Sequence, residues 1–179
     1  MPPSENLDLS KLDNGLPGIT PNWGGFLSEA SSTCLVSQKH VLGVKMDVLG
    51  SQKAQFKIFW NSRVQSTQAF AAWNDEQELT EYGACGIALM LVLELTRYTV
   101  IQRAKKGTGI DYWLGYKESN KPFENSARLE VSGILKGDDK DIKGRVKKKI
   151  KQTEPSDGSL PAIIVVVEFS KPISHLVQK

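Results

Sequence analysis

The chain has 179 residues, enough for one domain with a real core and too short for two. At 40% apolar and 24% charged residues it has the mix of a soluble globular protein, which excludes the disordered and fibrous classes. Lys and Arg outnumber Asp and Glu by 23 to 20, and a net charge of +3 is too small to name a partner by itself.

Cys34 and Cys85 lie far apart without CxxC spacing, so neither a zinc site nor a disulfide framework is indicated. His40 and His175 are equally scattered, which argues against a His-rich metal site and a Ser/His/Asp triad. Met1-Pro2-Pro3-Ser4-Glu5 is polar and lacks the apolar run of a secretion signal. The longest apolar stretch, residues 83–95, is shorter than the ~20 residues of a membrane span. The expectation is a cytoplasmic protein that does not meet a membrane.

Residues 1–25 are rich in Pro, Gly, Asn and Asp and read as an extended arm. Residues 26–179 read as a single domain, in which 26–73 form a helix plus a β-hairpin and 74–179 form the core. The helix is expected over 26–38. Strand-like runs at 41–49 and 54–60, joined by Gly50-Ser51-Gln52-Lys53, predict the hairpin. A further helical turn or two is expected over 64–73.

Asn74-Asp75 predicts a helix start, and Glu76, Glu78 and Glu81 suit the positive end of its dipole. From Ile87 to Leu93 this helix is apolar all round, so it should be buried all round. Strands follow at 98–103, 110–115 and 127–135, with the turn Lys105-Lys106-Gly107-Thr108-Gly109 between the first two and a polar loop over 116–126. Asp138-Asp139 starts a helix to about residue 151, with Ile142, Val146 and Ile150 as its inner stripe. A loop is expected over 154–158. The β-branched run at 162–169 predicts an interior strand covered on both faces. The fold class is α/β, an α+β arrangement around a mixed sheet.

Two acidic residues sit inside predicted strands, Asp111 in Gly-Ile-Asp-Tyr-Trp-Leu and Glu130 in Arg-Leu-Glu-Val-Ser. A buried carboxylate without a partner costs several kcal/mol, so such residues are paired or bind metal. If the two strands are neighbours, alternation puts both carboxylates on one face. An edge-strand pair exposed to water, or a salt bridge with Arg128 or Arg103, is the plainer alternative.

The order helix–strand–strand–strand–helix–strand, with Gly-Thr-Gly-Ile-Asp111 and Leu-Glu130-Val-Ser132, resembles the PD-(D/E)XK nuclease superfamily over about residues 76–172. That resemblance implies a restriction-endonuclease-like fold and a Mg²⁺ (or Mn²⁺) site held by Asp111 and Glu130 with Glu81 from the first helix. It implies hydrolysis of a phosphodiester, on DNA with RNA as the alternative. The family usually places a lysine two residues after the glutamate, where this chain has Ser132. A lysine from elsewhere would then stand in, Lys140, Lys143 or Lys147 on the following helix or Lys171 after the last strand. Seven of the 23 basic residues fall within 140–151. These, Lys143 and Lys147 among them, together with Lys105 and Lys106 would bring positive charge to a phosphate backbone. Ser132 also supports another expectation, a catalytically impaired subunit of a defence or repair assembly. Its N-terminal half would meet a second copy or a larger partner.

Overall fold

A computed structural model describes residues 5–61, 66–121, 123–154 and 160–179. The helical turn expected from residue 64 and the loop expected over 154–158 lie partly outside the described residues. The chain forms a mixed α/β structure around one eight-stranded mixed sheet.

The expected arm is built into the domain. Strand β1 (Glu5–Asp8) pairs parallel with β3 (Ala54–Phe59), and a 3-10 helix (Leu9–Asn14) follows. Leu7, Leu9 and Leu12 are fully buried, which is why the segment stays. Helix α1 (Pro21–Ser37) starts earlier than its apolar pattern indicates, because Thr20 caps it and Pro21 supplies a pre-set first turn. The Gly24-Gly25 pair that reads as loop lies inside this helix. A Cβ on Gly24 would sit 1.8 Å from the Leu12 carbonyl oxygen, so the 3-10 helix lies directly on it.

Strand β2 (Val44–Gly50) forms the expected antiparallel hairpin with β3. Helix α2 (Thr67–Ala72) is short. Helix α3 (Glu76–Leu95) is capped by Asp75 and buried along most of its length, as its apolar composition requires. Its crossing with α1 is close because the facing residues are small. The Ser31 hydroxyl is shared between the Leu27 and Gly83 carbonyls at 2.9 and 2.8 Å.

Beyond α3 come β4 (Tyr98–Arg103), β5 (Tyr112–Tyr116), β6 (Ala127–Ile134), α4 (Asp139–Thr153), β7 (Ala162–Glu168) and β8 (Ile173–Gln178). The first three strands are antiparallel neighbours, and β7 is parallel to β6. Strand β8, which the sequence pattern did not announce, pairs antiparallel with β7 and parallel with β2. It joins the N-terminal hairpin to the core, giving the order β1-β3-β2-β8-β7-β6-β5-β4. The hairpin β2–β3 is therefore part of the same sheet as the strands of the core.

Helices α1 and α3 cover one face through Leu129, Val131, Ile163, Val165 and Val167. The opposite face of β6 and β7 meets α4 through Ile134, Ile164 and Val166 against Ile142, Val146 and Ile150. No helix among the described residues is long and apolar enough to cross a membrane.

Two glycines test these contacts from opposite sides. A Cβ on Gly86 in α3 would lie 2.1 Å from the Ser31 Oγ and 2.8 Å from the Leu27 carbonyl, whereas one on Gly144 in α4 meets nothing within 4 Å. Gly86→Val is expected to destabilise by about 1–3 kcal/mol or more through overpacking. Gly144→Ala should stabilise by about 0.5–1 kcal/mol through helix propensity. Urea unfolding of the two variants beside the parent checks both signs.

Candidate functional site

Strands β5 and β6 run together only briefly. Their register pairs Tyr112 with Leu129 and Trp113 with Arg128, so the next step places Asp111 opposite Glu130. Asp111 stands just before β5 rather than inside it, but its N–H still donates to the Leu129 carbonyl at 2.9 Å. Past this point β5 turns away, helped by Gly109 at φ +75°. The Asp111 carboxylate takes over the role of the missing strand, its Oδ2 accepting the Val131 N–H at 2.7 Å.

Alternation in β6 turns Arg128, Glu130, Ser132 and Ile134 toward α4. Each meets a residue of that helix. Arg128 donates to the Thr153 carbonyl and twice to that of Leu160. The Lys149 ammonium donates to Glu130 Oε1 and forms an ion pair with it, and Gln152 Nε2 donates to the same oxygen at 3.0 Å. Arg145 Nη1 donates to the Ser132 Oγ at 2.9 Å. The spacings match: two residues of strand advance about 6.6 Å and four of helix about 6 Å.

Glu130 is only 2% exposed. Burial, then the neighbouring Asp111 carboxylate, pushes its pKa up to about 7, against the pull of Lys149. Burial also raises Asp111, while the Val131 N–H and Lys149 work the other way. The two carboxyl groups are close enough to influence one another's protonation. Arg103 attracts Asp111 weakly and lies over the Trp23 ring at 4.1 Å, so neither Arg103 nor Arg128 is the main partner of the pair.

Where β5 has left, a cleft of about 530 Å³ opens beside β6. Glu76, Thr80 and Glu81 of α3 form one wall, and Ser132, Arg145 and Lys149 form the other. Gly133 allows this close approach, since a Cβ there would lie 2.4 Å from the Thr80 carbonyl oxygen. Glu81 is thus on the cleft wall. Among the described residues no group of three His, Cys, Asp or Glu side chains converges to hold a metal ion.

The structure brings Asp111, Glu130 and Ser132 into one region, with Lys149 on Glu130 and Arg145 on Ser132. Lys140 is exposed in the first turn of α4, nine residues and about 13 Å of helix ahead of Lys149. Lys143 is exposed on α4; His175 of β8 has its pKa lowered by burial, with Asp139 acting against that shift and Lys143 with it. Lys147 is exposed on α4, and Lys171 follows β7 with its backbone N–H on Glu168. Lys105 and Lys106 are exposed in the turn leading to Asp111. Arg145, Lys149 and Gln152 carry the contacts instead. Their signal lay in the stripe Ile142–Val146–Ile150, because residues three positions after Ile142 and Val146 flank it and face the sheet.

Comparison with family models, with curated proteins and with solved structures finds no match to this chain.

The raised Glu130 pKa has a stability consequence. Between about pH 4.5 and 7 the folded protein holds this proton more tightly than the unfolded chain, so folding stability falls as pH rises through that window. Glu130→Gln removes the effect. In metal-free buffer the variant should gain on the parent across the window, as read by chemical denaturation at about pH 5 and about pH 8. A difference that is flat or moves the other way contradicts the assignment.

Proposed function

We propose that the chain is a Mg²⁺- or Mn²⁺-dependent nuclease with a restriction-endonuclease-like core that hydrolyses phosphodiesters of DNA. The observation that carries this reading is the facing pair Asp111–Glu130 with the Lys149 ammonium on it. The series α3-β4-β5-β6-α4-β7, antiparallel through β6 and parallel between β6 and β7, supports the core assignment.

The donor set fits a divalent ion. Two desolvated carboxylates share one ammonium, so ionising both leaves negative charge in a poorly solvated place. Mg²⁺ takes hard oxygen ligands, needs only one or two carboxylates, and leaves its other positions to water and substrate phosphate. Asp111 and Glu130 would hold it, with Glu81 of the cleft wall as the further carboxylate of the proposal. The chemistry such an ion would supply there is activation of water and offset of charge on the phosphate.

The chain's own residues do the rest. The Val131 N–H fixes the Asp111 carboxylate, and Lys149 with Gln152 fixes that of Glu130. Lys149 also supplies the positive charge that Ser132 cannot. Lys105 and Lys106 beside Asp111, with Lys143 and Lys147 on α4, draw a phosphate backbone to this side of the molecule.

The same ion pair supports a second reading. An ammonium resident on Glu130 can substitute for a metal permanently, leaving a subunit that binds nucleic acid or a protein partner in a defence or repair assembly.

Purified protein incubated with plasmid, single-stranded DNA and RNA in Mg²⁺, Mn²⁺ or EDTA separates the two. The nuclease reading expects metal-dependent cleavage, abolished by Asp111→Asn and lowered about 100- to 1000-fold by Lys149→Met, the scale of losing one charge-stabilising donor. Binding in EDTA with no cleavage in either metal favours the second reading. Cleavage that survives Asp111→Asn defeats the site assignment.

A further inference from the structure

We infer that Arg145, oriented by Ser132, holds the phosphate next to the scissile one, so that the cleft takes a polynucleotide strand with at least two consecutive phosphates. This rests on the nuclease reading of the Asp111–Glu130 pair.

Ser132 and Glu130 share one face of β6, a separation of about 6.6 Å along the strand. Arg145 and Lys149 are one helical turn apart on α4 and reach those two residues in the same order. The two rungs differ in charge balance. Lys149 faces a carboxylate. Arg145 faces a neutral hydroxyl, and among the described residues it enters no ion pair.

A guanidinium carries five N–H donors in a rigid fork, and the contact with Ser132 uses one of them. The others remain for an anion, and bidentate capture of phosphate is what this geometry favours. The residue is exposed and forms part of the cleft wall, so an anion can reach it. Glu76 and Glu81 stand on the opposite wall and repel phosphate, which keeps a strand against α4.

The Ser132 hydroxyl accepts the Nη1 hydrogen bond and sets the plane of the fork. It is a positioning residue. An anion held there is displaced by one i, i+2 strand step from a phosphate at the carboxylate pair. That displacement is comparable to the separation of successive phosphates along a nucleic-acid strand. A single phosphate cannot occupy both places, and a polymer can.

The test uses the full chain with Arg145→Ala, Arg145→Lys, Ser132→Ala and Ser132→Thr. Binding of fluorescent single- and double-stranded DNA is read by anisotropy over a salt series in EDTA, and steady-state cleavage is read in Mn²⁺. Arg145→Ala should weaken binding about tenfold or more and reduce the salt slope by about one. Its loss in cleavage should appear in KM rather than kcat, because a phosphate beside the scissile one contributes uniform binding. Arg145→Lys recovers only part, since it restores charge without the fork. Ser132→Ala should shift in the same direction and Ser132→Thr should restore the parent behaviour.

Unchanged affinity and salt slope in Arg145→Ala overturn the inference, whether or not the protein cuts. A fall in kcat at constant KM overturns it too, because it puts Arg145 on the scissile phosphate. If Ser132→Ala matches the parent, the positioning role is wrong. A parent protein that binds DNA without cutting it defeats the nuclease reading, while the binding series still decides on Arg145.

Discussion

Two carboxylates that repel one another are held face to face in a place largely closed to water, and the surrounding elements are arranged around that constraint. Asp111 is anchored from the backbone side, its N–H on Leu129 and its carboxylate on the Val131 N–H. Glu130 is anchored from the helix side by Lys149 and Gln152. Neither anchor could be lost cheaply, because a buried carboxylate left without its hydrogen bonds keeps its full desolvation penalty. The pair exists because the β5–β6 register carries on one step to Asp111 and Glu130, and the separation of the strands just beyond it opens the cleft.

Helix α4 meets the sheet through two stripes of different character. Ile142, Val146 and Ile150 make an apolar contact with Ile134, Ile164 and Val166. Arg145, Lys149 and Gln152 lie alongside and reach the polar residues of β6. One helical turn is close to two residues of strand in length, so a single rotation of the helix satisfies both stripes. Lys140, Lys143, Lys147, Lys148 and Lys151 of the same helix are exposed.

The N-terminal half supports this arrangement from the other face of the sheet. Strand β8 joins β7 to β2, so the hairpin extends the sheet rather than standing beside it. Helix α1 lies close against α3 through Gly83, Gly86 and Ser31, which fixes the axis along which α3 presents Glu76 and Glu81 to the cleft. The segment at Gly18 donates to the Val100 carbonyl and covers part of the β4 edge.

The sequence alone determined the elements whose signals are local. Alternation and β-branched composition marked β3, β6 and β7, apolar composition marked α3, and acidic caps marked the starts of α3 and α4. It also singled out Asp111 and Glu130, because a charge within an apolar strand is costly wherever that strand goes. Tertiary structure decided what was not local. Strand β8 is short and mixed in character, and it is a strand because both neighbours offer hydrogen bonds. Residues 5–14 are ordered because Leu7, Leu9 and Leu12 find a core to enter. The choice of Arg145 and Lys149 over Lys140, Lys143 and Lys147 depended on the rotation of α4 against β6. In sequence every one of these is a cation in a basic helix; only the fit of helix turn to strand step determines which of them face the polar residues of β6 and which face water.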